Sequence, residues 1–129
     1  MIYIVQNILP ILAAMVAGLA IGLVWTRAMG RKTPSVPVLL VAAIAEFWLA
    51  AILAGALILA PSQAGAWTMA LGSAFVIWVG FVMPAFVVTL GVARVRASRI
   101  ASVALHWLVV MLAQAAVMQV IGLVAPPPS

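Results

Sequence analysis

The chain has no cysteine, one acidic residue and one histidine among 129 residues, and charged residues make up only 5% of it. Each scarcity removes a class of function. Without cysteine there is no disulfide framework and no thiolate metal site. With Glu46 as the sole carboxylate there is no acid pair for general acid–base catalysis, and His106 alone is a weak metal-ligand set. No nucleophile–base arrangement and no phosphate loop occurs, so the chain does not read as an enzyme and calls for no cofactor or metal.

What remains is apolar. Hydrophobic residues are 69% of the sequence and the mean hydropathy is +1.40, too much for the polar exterior of a soluble domain. A membrane span needs about 20 apolar residues. Four stretches qualify, roughly 3–25, 36–60, 66–93 and 100–124, and they use up nearly the whole chain. The expected fold is all-α, an integral-membrane four-helix bundle in up-down-up-down order, occupying residues 1–129 as one membrane domain. The first stretch has no positive region before it and is too long for a signal peptide, so it reads as a retained span.

All six basic residues fall in two loops: Arg27, Arg31 and Lys32 after the first stretch, and Arg94, Arg96 and Arg99 before the fourth. Confinement of this kind is the topological signature of cytoplasmic loops. Both termini and the turn "APSQAGA" (60–66) are then expected on the opposite side. The net charge of +5 therefore points to topology and not to nucleic acid. Anionic lipid or phosphate binding is the functional alternative, although polybasic lipid sites commonly use four or more adjacent charges and each cluster has three.

The short turn 61–65 predicts that the second and third spans are antiparallel neighbours, as are the third and fourth. Pro34 and Pro37 suit the start of the second helix, where a missing N–H costs little. The tail "APPPS" is expected to leave the helix as an extended stub. Residues 1–60 and 65–124 share the plan of span, basic loop, span, without a residue-level match. Ala14, Gly18 and Gly22 recur every four residues, a small-residue stripe that allows close helix approach in lipid. It serves packing within the chain or a homodimer face. Ala51 with Gly55, and Gly72, Val76 and Gly80, are weaker versions.

At 1.5 Å per residue, Glu46 lies about 15 Å from the basic end, with His106 at about 9 Å and Gln114 at about 21 Å. A charge at mid-membrane costs on the order of 3 kcal/mol and faces the bundle interior. A neutral Glu46 carboxyl can bond to Gln114 or to the Gly80 carbonyl that Pro84 leaves free; an ionised one needs a protonated His106. Ser98, Ser102 and His106, spaced by four, share one face of the fourth helix. Trp48, Trp78 and Trp107 read as packing or lipid-facing groups.

Two stretches, "GLVWTRAMG" (22–30) and "IWVGFVMPAFVVTLGVARVRASRIASVALHWLVV" (77–110), resemble the bacterial domain-of-unknown-function 1761 family. The matching positions are Gly22, Trp25, Trp78, Gly80, Phe81 and His106. Thr26, where the family carries an aromatic, and Glu46 depart from its pattern. The resemblance implies a four-span protein of the bacterial inner membrane and brings no activity. Three functional readings follow. The first is an accessory or assembly subunit of a larger membrane complex, whose partners are the lipid bilayer and either other subunits or copies of itself. The second is a compact proton-coupled transporter using Glu46. Small multidrug exporters are similar in span number, but their glutamate lies in the first span. The third is a pigment carrier or membrane enzyme using His106.

Overall fold

The computed structural model describes residues 1–128, and every regular element in them is helical. In lipid no water satisfies an exposed peptide group, so a single-chain span closes its backbone bonds within a helix. Four helices are long and apolar enough to cross a membrane: Ile8–Ala28, Val36–Leu59, Ala66–Val92 and Ala97–Ile121. They are the first to fourth spans below. The protein is an all-α, multi-pass membrane protein.

The first span is not the continuous helix expected over 3–25. A short helix, Ile2–Gln6, precedes it, and Asn7 breaks the two apart at φ −114° and ψ 26°. Pro10 then falls in the first turn of the new helix, where its missing N–H disturbs no helical bond. The second span begins as expected, with Ser35 extended and Pro37 in the first turn. Its first backbone bond runs from the Leu39 N–H to the Ser35 carbonyl at 3.0 Å. The fourth span starts at Ala97 and ends at Ile121, three residues earlier at each end than the expected 100–124. Gly122 stops it with φ +95°, a conformation that L side chains rarely adopt. The residues that follow, up to Pro128, are non-helical; Ser129 of the expected stub lies outside the described residues.

Pro84 does not break the third span. The helix widens into a π-helical turn over Trp78–Val82, and the Met83 N–H reaches back five residues to the Trp78 carbonyl. A π turn inserted before proline relieves the clash that would otherwise force a sharp kink.

The first span packs most extensively against the fourth, next against the second, while the third span packs mainly on the fourth. The expectation for the second and third spans needs correcting. Their backbones approach only along Ala66–Ile77, beside the connecting turn, and no Cα pair comes within 8 Å beyond it. A short turn fixes the distance between two helix ends but not the angle between the helices. The buried core joins Ile11 and Ala14 to Ala50, Leu53 and Ala54 of the second span and to Met111, Ala115 and Met118 of the fourth. Alanine lets these backbones come close, and methionine fills the irregular space left between them.

Candidate functional site

Along the seam between the first and fourth spans the polar side chains stand in two layers, each opposite a glycine of the first span. In the deeper layer Glu46 and Gln114 are 3% and 0% exposed. Gln114 Nε2 donates to Glu46 Oε2 at 3.0 Å. Gly18 leaves the room this pair occupies: a Cβ there would overlap the Glu46 carboxyl and come within 2.9 Å of Gln114 Nε2. The amide oxygen of Gln114 is buried without a partner among the described residues. The amide thus commits its N–H to Glu46 and leaves one acceptor unused, a cost of about 1–3 kcal/mol.

The Gly80 carbonyl is not part of this layer, contrary to the expectation that Pro84 would free it for Glu46. Gly80 sits on the exposed side of the third span, and a Cβ there would meet nothing within 4 Å. The second and third spans have diverged by that height.

One turn nearer the basic end, His106 occupies the second layer. A Cβ on Gly22 would lie 3.6 Å from His106 Nε2, an ordinary contact. Trp25 and Trp107 meet the imidazole edge-on, at centroid distances of 5.6 and 5.1 Å. His106 forms no hydrogen bond with another described residue. Glu46 and His106 therefore belong to separate layers, and the carboxyl bonds to Gln114 and not to the imidazole.

Ala14, Gly18 and Gly22 face inward: Ala14 and Gly18 are buried and Gly22 is half-buried. The stripe packs within the chain. The Ala51–Gly55 pair also has an occupant, since Tyr3 lies over Gly55 and its hydroxyl donates to the Ala51 carbonyl at 3.0 Å. Gly72 and Gly80 meet no neighbour. Trp78 donates through Nε1 to the Ala104 carbonyl at 2.8 Å, pinning the π turn to the fourth span. Trp48 is largely exposed on the apolar perimeter.

Beyond the His106 layer the bundle opens into a cavity of about 910 Å³ between the first and fourth spans. Arg31, Arg94, Arg96 and Arg99 line it; Arg27 and Lys32 do not. Ser98, Ser102 and His106 all border it, so the face they share on the fourth helix is the cavity wall.

Sequence reasoning passed over Asn7. This buried residue donates from Nδ2 to the Val124 carbonyl at 2.8 Å and accepts the Val124 N–H on Oδ1 at 2.7 Å. Its amide pairs with the chain after the fourth span much as a peptide group pairs across two strands. A signal was available: asparagine three residues before Pro10, inside an apolar run, marks a helix start.

Comparison with family models, with curated proteins and with solved structures gives no match for this chain.

Proposed function

We propose that the protein is an accessory or assembly subunit of a larger complex in the bacterial inner membrane, inserted with its basic end toward the cytoplasm and both termini on the periplasmic side. The observation that carries this reading is the state of Glu46. Its carboxyl is bonded to Gln114, covered by Gly18, and borders none of the three principal cavities. A carboxyl that carries protons for transport needs a route to water, and this one is enclosed by packing. The pair instead ties the second span to the fourth across the first. Intramembrane side-chain bonds of this kind contribute about 0.6–2 kcal/mol and specify how helices associate.

The third span adds a second support. Only Ala70 and Ala74 are buried along it, which leaves most of its apolar perimeter to lipid or to a neighbouring subunit. The likeness to the 1761 family belongs to the same reading and adds no chemistry. The test is the native mass of the protein extracted from its own membranes in mild detergent, with co-migrating chains identified. Migration with a large complex, and retention of that complex's activity in Glu46→Gln, is the expected result. Migration alone, with proton-coupled flux that Glu46→Gln abolishes, would replace this reading by transport.

A further inference from the structure

The six basic residues serve topology equally well wherever they lie in their loops, because orientation depends on their number and side. The structure separates them. Four arginines border one cavity with two serines and a histidine, while Arg27 and Lys32 stand apart. No carboxylate lines that cavity, and the one carboxylate of the chain is held in the layer beyond His106 by Gln114. Among the described residues the guanidiniums therefore have no counter-charge at the cavity.

Three further features bear on what would neutralise them. The fourth span begins at Ala97, between Arg96 and Ser98 of the cavity lining, so the positive end of a 25-residue helix adds to the field there. The hydroxyls of Ser98 and Ser102 and the ring of His106 make no hydrogen bond to other described residues, leaving donors free toward the space they border. Arg94 occupies the position after the third span where glycine is usual. It has φ +58°, and the Val95 N–H closes the helix end on the Leu90 carbonyl at 2.9 Å. Arginine stands at a backbone position that glycine would fit with less strain, and that arginine lines the cavity.

We propose that this cavity is a binding site for a phosphate-bearing anion. Guanidinium groups match phosphate oxygens through paired N–H donors. Serine hydroxyls and the imidazole supply further donors at the floor, and Trp25, Met29 and Val103 give the walls an apolar lining. The anion is either a lipid headgroup or a free phosphate compound, since both present the same oxygens. The site is independent of whether the protein joins a larger complex.

Purified protein in phosphatidylcholine nanodiscs tests it, titrated separately with inorganic pyrophosphate and with increasing phosphatidylglycerol. The signal is a saturable change in Trp25 fluorescence, assigned by its loss in Trp25→Phe. Saturation by pyrophosphate identifies a free phosphate compound; saturation only by phosphatidylglycerol identifies a headgroup. The double variant Arg94→Gly with Arg99→Gln is expected to weaken binding about tenfold or more, the loss of a charged hydrogen bond, without lowering Tm. Arg27→Gln with Lys32→Gln removes the same charge and is expected to change binding less than about twofold, as for charges at the rim of a site. Ser102→Leu narrows the cavity and leaves every charge in place, so it reads the site even where the arginine variant folds poorly; it too weakens binding. Equal weakening in the two charge-matched variants, unchanged binding in Ser102→Leu, or no saturation by either probe would overturn the proposal.

Discussion

The first and third spans both carry glycines at helical spacing and use them in opposite ways. In the first, Gly18 and Gly22 are one turn apart and each faces a polar side chain of another span. In the third, Gly72 and Gly80 are two turns apart and a Cβ on either would meet nothing within 4 Å. The motif alone therefore does not mark a contact. What distinguishes the two is the partner: the second and fourth spans present Glu46, Gln114 and His106 to the first, whereas no side chain of another span comes within 4 Å of the Cβ positions at Gly72 and Gly80. A glycine acquires a packing role when a side chain fills the volume its missing Cβ leaves.

Substitutions can break that comparison in order of size. Gly18→Ala drives a methyl into the Glu46–Gln114 pair and is expected to cost about 2 kcal/mol, within the range for overpacking a buried site. Unfolding of the detergent-solubilised protein by SDS, followed by circular dichroism, measures it; wild-type stability would mean that the pair has room to move aside. Next comes the pair itself. Gln114→Leu leaves the Glu46 carboxyl buried without its donor, and the expected loss is about 1–2 kcal/mol in the same titration. Glu46→Gln keeps an acceptor oxygen opposite the amide, so its expected cost is about 0.5 kcal/mol or less. Equal losses in these two variants would show that charge, and not the hydrogen bond, holds the layer. The smallest effects belong to Gly22→Ala and Gly72→Ala. Both add a methyl at ordinary contact distance or into open space, and each is expected to fall within about 0.5 kcal/mol of wild type. A large loss at Gly72 would mean that the space it borders beside Ala56 is filled in the native assembly.

Much of this arrangement is legible in the sequence. Glu46 and Gln114 stand out because a polar residue in an apolar helix has to find a partner, and depth along the helix narrows the choice. Ser98, Ser102 and His106 fell on one face by spacing alone, and that face is a cavity wall. Other features depend on angles that residue patterns do not encode. The divergence of the second and third spans is set by side-chain packing along their whole length, while the turn constrains only one end. Gly80 lies on the exposed side of the third span and not toward Glu46, since the π turn over Trp78–Val82 rotates the helix surface relative to an ideal repeat. The roles of Tyr3 and Asn7 are masked because they lie within a run whose hydropathy reads as continuous helix. The left-handed conformation of Arg94 has no composition signal, as arginine is not the residue that position favours.

The seam between the first and fourth spans has a consequence for biogenesis. It joins the first span to the fourth, with two spans made in between, and the bonds beside it, Glu46 of the second span to Gln114 and Asn7 to Val124, close over 68 and 117 residues. Contacts so distant in sequence form late and slowly. The glycines of the first helix and the carboxyl of the second therefore wait in the bilayer, uncovered, until the fourth helix is inserted. That interval is when the nascent protein is most open to quality control and to mispairing, and a mutation at Gly18 would lengthen it.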